Sequence, residues 1–173
     1  MGSLVSRTLT HHTHSLSLTR PGSFQDGGAV RFSGTRNCSV SGSLLVNLGG
    51  TGVMVSGWNV GAAVSDCEFR WLGDSAVIGA GLGGSQHDNS APEASVGRGL
   101  LLQRNLAHEL GLFVKQAGFY YHAMGANATV DSNIAFNCPR AGINVRVLCC
   151  VCARGLSANG THALTLPKSS LAD

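Results

Sequence analysis

The sequence predicts an all-β protein, a right-handed parallel β-helix: a single-stranded solenoid of about four coils, incomplete at its C-terminal end. Three observations carry this. Charged residues make up 12% of the chain, against about 25% for an ordinary soluble domain. Glycine accounts for 24 of 173 residues, roughly twice its usual share of about 7%. The middle of the chain repeats a short apolar pattern. Few charges and many glycines exclude a charged helical bundle and suit short strands joined by tight turns.

Three regions follow in order. Residues 1–26 are rich in Ser, Thr and His and read as a poorly ordered N-terminal segment. Residues 27–147 hold the repeat, and residues 148–173 break its style and read as an irregular tail. One half of each repeat is an apolar residue, four others, then a second apolar residue. It runs Val40–Leu45, Val64–Phe69, Leu101–Leu106 and, more loosely, Thr129–Ile134. The other half is a small residue and an apolar strand: Gly52-Val53-Met54-Val55, Ala76-Val77-Ile78-Gly79, Gly111-Leu112-Phe113-Val114 and Gly142-Ile143-Asn144-Val145. Val53 and Val77 stand one bare coil apart, and the later copies stand further apart. The surplus is assigned to two loops, the polar Gly81–Val96 and Ala117–Ala128, which carries Phe119-Tyr120-Tyr121-His122 across the surface.

Strands this short cannot bury a face alone. Parallel stacking about 4.8 Å apart pairs each with the coils above and below. Three inward columns are expected: Val40, Val64, Leu101; Leu45, Phe69, Leu106, Ile134; and Val53, Val77, Leu112, Ile143. An antiparallel sandwich, the main alternative, requires hairpin turns every 8–12 residues or so. A leucine-rich horseshoe requires more leucine and a steadier period.

The net charge is +3 and the basic residues are scattered, which argues against a nucleic-acid partner. No apolar stretch approaches the ~20 residues of a membrane helix, and no secretory signal is visible. Met1-Gly2-Ser3-Leu4-Val5-Ser6 fits the permissive N-myristoylation pattern. The six cysteines show no paired CxxC units, so they read as small buried hydrophobes rather than zinc ligands. His11, His12 and His14 lack a neighbouring carboxylate or cysteine, so no metal and no cofactor is expected. Asn37, Asn127 and Asn159 stand in glycosylation sequons, which matter only in a secreted chain.

Five blocks, taken together, resemble a family of right-handed β-helix domain proteins with a pectate-lyase-like fold. They are Gly27–Gly34, Gly52–Asn59, Trp71–Ala76, His108–Gln116 and Asn137–Asn144. The resemblance covers about Gly27 to Val145. It implies the fold and a link to polysaccharides, and its full-length members are expected outside the cell. Two departures stand out. The family continues past Asn144 with an aromatic, Asn-Asp-Gly and further coils, whereas this chain reads Val145-Arg146-Val147-Leu148-Cys149-Cys150. Before Gly27, Arg20-Pro21-Gly22 replaces a longer joining segment. Together they imply a truncated relative with a non-homologous tail.

A polysaccharide lyase needs a base to remove a proton beside a carboxylate and a cation to stabilise the charge that forms. A hydrolase needs two carboxyl groups across the sugar bond. The repeat offers Asp74, Glu109 and Arg140, expected as one column along a coil edge, with His108 and Lys115 beside it. Arg140 and Lys115 would hold a sugar carboxylate, His108 or Lys115 would act as base, and Trp71, Tyr120, Tyr121 and His122 would line the sugar faces. The structural alternative is a ladder ion pair, which contributes little at a surface. Asp66 and Asp131 read as turn formers and Asn144 as a member of an asparagine ladder. Three readings stay open: a polysaccharide-active enzyme, a non-catalytic β-helix binding a glycan or a protein, and an inactive fragment.

Overall fold

In a computed structural model of the protein, residues 27–81, 97–123, 125–146, 151–154 and 157–159 are described. The chain is a parallel β-helix of about four turns. The first turn comprises β1 (Gly28–Arg36), β2 (Ser39–Ser41) and β3 (Leu44–Leu48). The second comprises β4 (Thr51–Val60), β5 (Ala63–Ser65) and β6 (Glu68–Leu72). The third holds β7 (Val77–Ala80), β8 (Gly97–Arg98), β9 (Leu101–Gln103) and β10 (Leu106–His108). The fourth holds β11 (Tyr120–Ala123), β12 (Gly125–Ala126), β13 (Ala128–Asp131) and β14 (Ile134–Phe136). β15 (Ile143–Arg146), β16 (Val151–Arg154) and β17 (Ser157–Asn159) lie against the fourth turn.

Every strand pair among the described residues is parallel and forms three sheets. Sheet A stacks β1, β4, β7, β11 and β15, with β8 and β12 continuing from the far end of β4. Sheet B stacks β2, β5, β9, β13 and β16, and sheet C stacks β3, β6, β10, β14 and β17. The repeat was expected to stop at residue 147, yet β16 and β17 extend sheets B and C in register. The N-terminal segment, with its three histidines and acylation pattern, lies outside the described residues, as does most of the Gly81–Val96 loop.

The chain turns at three corners per coil, each marked by one residue at positive φ. Asn37, Gly61, Gly99 and Asn127 form one such column. Gly42, Asp66, Arg104 and Ser132 form the second, and Asn47, Trp71, Glu109 and Asn137 the third. Glycine takes this conformation without steric cost and asparagine tolerates it best among the others, which explains most of these identities. Asp66 is a corner residue as expected, whereas Asp131 ends β13.

The core columns differ from expectation in register. In sheet B, Val40, Val64, Leu102 and Val130 pair, so Leu102 replaces the expected Leu101. In sheet C the column is Leu45, Phe69, Ala107 and Ala135. Leu106 and Ile134 face outward, and Ile134 is 50% exposed. The small methyl of Ala107 sits beside the fully buried Phe69 ring, where a leucine would overfill the space. Because strand side chains alternate, a slip of one residue moves each of these chains to the other face.

The largest correction lies in sheet A, whose column runs Val30, Val53, Val77, Tyr120 and Ile143. The expected strand at Leu112 is a loop. There the amides of Leu112, Phe113 and Val114 bond to the carbonyls of Leu72 and Gly73. The expected surface loop Phe119–His122 is instead buried, and Tyr120 is in the core. Each fully buried valine or leucine contributes roughly 1.5–3 kcal/mol to the solenoid.

An asparagine ladder closes the corner between sheets B and C. Asn105 and Asn133 are both buried there. Asn133 Oδ1 accepts from the backbone N–H of Asn105 and from Asn105 Nδ2, both at 2.9 Å. Asn105 Oδ1 accepts from the Cys67 amide at 3.0 Å. Asn133 Nδ2 donates to the carbonyls of Leu102 and Asp131. Asn144, the expected ladder member, instead pairs with Tyr121 on the outward face of sheet A. Removing the lower rung orphans buried amides. Asn133→Ala is therefore expected to cost about 3 kcal/mol in urea unfolding. Asn127→Gly, at an exposed positive-φ corner, should stay within about 0.5 kcal/mol of the wild type.

Candidate functional site

The connections from sheet C back to sheet A, residues 73–76, 109–119 and 137–142, bring most of the candidate residues to one flank. Corner geometry positions the first of them. Trp71 sits at positive φ at the end of β6 and is 52% exposed. Two residues on, a Cβ at Gly73 would lie 2.1 Å from the Gly49 carbonyl oxygen and 2.7 Å from the Phe113 ring. Only glycine lets these chains approach so closely, and Phe113 is laid over it at 75% exposure.

Asp74, Glu109 and Arg140 do not form the expected column. Asp74 is buried, and its Oδ1 accepts from the Ser75 amide at 2.7 Å and the Ser75 hydroxyl at 3.1 Å. The Thr51 hydroxyl donates to Oδ2 at 3.3 Å. Glu109 occupies the corner column with Trp71 and Asn137, and its Oε1 accepts from Asn137 Nδ2 at 2.6 Å. Arg140 donates from Nη1 to Gln116 Oε1 at 2.8 Å. Lys115 Nζ donates to the carbonyls of Gly111 and Leu112 at 3.2 and 3.4 Å. His108 stands on the outer face of sheet C, stacked on Phe136 with ring centroids 5.0 Å apart. Its Nε2 lies 3.7 Å from Glu68 Oε1.

The expected sugar-facing rings divide. Trp71 is exposed, while Tyr120, Tyr121 and His122 are buried in β11. Tyr121 packs with Met54 and Ile78 on the outward side of sheet A, and Tyr120 and His122 point inward. Phe113 is the ring that the sequence reading missed as a surface group, because its apolar neighbours imitate a strand.

The bonded ladder ion pair lies at another corner. Arg104 holds Asp66 through Nε and Nη2 at 2.7 and 2.8 Å. The guanidinium's hydrogen bonds and charge hold the Asp66 carboxyl below the usual carboxylate range. The thiols of Cys38, Cys67 and Cys138 are free. Burial pushes the Cys67 thiol up and the Cys138 thiol up to about 11, which keeps both protonated and unreactive. Among the described residues no group of three metal-ligating side chains converges. No helix among them is long and apolar enough to cross a membrane.

The flank thus presents two exposed rings, Trp71 and Phe113, with two exposed cations, Lys115 and Arg140. Rings of this kind offer flat apolar faces, and the cations offer donors to a carboxylate. The two carboxylates nearest in sequence are already bonded to their neighbours. Comparison with protein-family models, curated proteins and solved structures gives no match. A supporting role for Asp74 predicts that Asp74→Ala loses about 2 kcal/mol of stability in denaturant unfolding, through the three bonds it accepts. Arg140→Ala, at the exposed rim, should change stability by less than about 0.5 kcal/mol.

Proposed function

We propose that the protein is a non-catalytic β-solenoid that binds an acidic polysaccharide on the Trp71–Phe113 flank. The observation that carries this reading is the separation of the candidate catalytic groups. Asp74 is buried under Thr51 and Ser75, Glu109 is held by Asn137, and His108 stands on the outer face of sheet C. Proton abstraction needs base and cation to converge on one sugar. Binding needs only exposed rings and cations along an extended surface. The resemblance to pectate-lyase-like proteins supports a uronic-acid chain as the ligand class. Its carboxylates would meet Lys115 and Arg140 while its rings lie against Trp71 and Phe113.

The test is binding of polygalacturonate to the full chain by calorimetry, with a neutral glucan as control. Binding is expected for the acidic polymer and should weaken as salt rises. Phe113→Ala should lower affinity about tenfold, equivalent to ~1.4 kcal/mol. Absence of binding sinks the proposal. Release of unsaturated sugar, seen as ultraviolet absorbance, would replace it with the enzyme reading.

A further inference from the structure

His122 is aimed into the interior of the solenoid. It pairs with Gly79 in β7 and Val145 in β15, in an inward column one residue pair beyond Val77 and Tyr120. The residue is 3% exposed. Its Nδ1 is hydrogen-bonded to the Tyr120 hydroxyl, and its Nε2 is buried without a hydrogen-bond partner among the described residues.

The imidazole borders a cavity of about 20 Å³, which is room for one water molecule. Gly79 and Gly125 create the space. A Cβ at Gly125 would lie 2.4 Å from His122 Cε1 and 2.9 Å from Nε2. A Cβ at Gly79 would lie 3.2 Å from the Tyr120 hydroxyl. The rest of the lining includes Val55, Asn59, Ala62 and Leu100. Among the described residues, the titratable and charged groups facing the ring are the Tyr120 hydroxyl from β11 and Arg98, itself exposed, from β8. β4 and β7 bring none, and among the described residues no carboxylate lines the cavity.

The geometry points to an acid-sensitive latch: the neutral His122 ring, bonded to Tyr120 within β11, seats on Gly79 of the third turn, and its protonation loosens the fourth turn from the third. A charged ring in this slot would sit in an apolar interior with only the Gly125 backbone to offset it among the described residues, and burial of a poorly compensated charge is strongly unfavourable. β11 and β12 would then separate from β7 and β8.

The sign follows from linkage. Histidine in an unfolded chain titrates near 6.5, and burial pushes His122 lower, opposed by the Gly125 backbone. Below 6.5 the unfolded chain therefore binds more protons than the folded one. The stability from neutral His122 is whole above that value and is lost as pH falls toward the depressed folded value.

The test is urea unfolding of the full chain between about pH 7 and about pH 5, wild type against His122→Gln. In the wild type the unfolding constant should rise by up to about tenfold per pH unit within the window. The variant should lose most of that slope. An unchanged slope in a folded variant overturns the proposal. If the variant does not fold, proton NMR of the His122 ring in the wild type decides. A ring that stays neutral until the protein unfolds supports the latch. Reversible titration near the ordinary histidine value in the folded protein overturns it.

Discussion

A chain that winds into stacked turns has to change direction at the same places in every turn, and here it does so through single residues held at positive φ. The three corner columns differ in chemistry, from glycine to Trp71 and Arg104, but agree in backbone. That agreement lets each strand stand over its counterpart, so the described ladders run parallel, with one shift of register between Ser33 and Thr35 in β1. The asparagine ladder depends on the same constraint. Asn133 can serve the Asn105 amide only because both corners bend alike. Where the corner fits poorly with the side chain, as at Trp71 and Glu109, the chain is on the surface and the group projects to solvent or to a neighbouring corner. Corner geometry thus fixes both the core and the positions from which exposed groups project.

Much of this was legible in the sequence. The first two turns carry large apolar residues at both inward slots of sheets B and C, and Val40, Leu45, Val64 and Phe69 fall where they were expected. Later turns were read one residue out of step, because Leu106 and Ile134 attract attention and the true core residues are alanines. A pattern that weighs size cannot see a column in which Phe69 already fills the space. The Leu112 and Tyr120 exchange has a different origin. Two apolar segments compete for one position in sheet A, and the loser is marked only by Gly111 and the close passage of Pro139 behind it.

The candidate site was legible in composition but not in placement. Trp71 stands near the end of β6, and Lys115 and Arg140 on the connections from β10 to β11 and from β14 to β15. Asp74 and Glu109 were placed in one column because both precede an apolar run, but only one of those runs is a strand. Once Leu112–Val114 becomes a loop, Glu109 moves to the corner column and its carboxylate is taken by Asn137. Tyr120, Tyr121 and His122 were assigned to the surface for the same reason. Correcting a single strand assignment therefore rearranges most of the chemistry.

The parallel stacking also bears on how the chain reaches this structure. Each strand meets only the turn before and the turn after, so no contact has to wait for distant parts of the chain. Once two turns have closed on each other, every later turn adds to an existing template. The steps are unequal, however. From β1 to β4 and from β4 to β7 the chain closes a short loop, whereas from β7 to β11 it spans the longest interval in the solenoid. Doubling a loop adds only about 0.6 kcal/mol to its closure, so this interval is a delay rather than a barrier. It divides the solenoid into two stretches of closely spaced turns, the first two turns with β7 and the stretch that begins where Tyr120 enters the core.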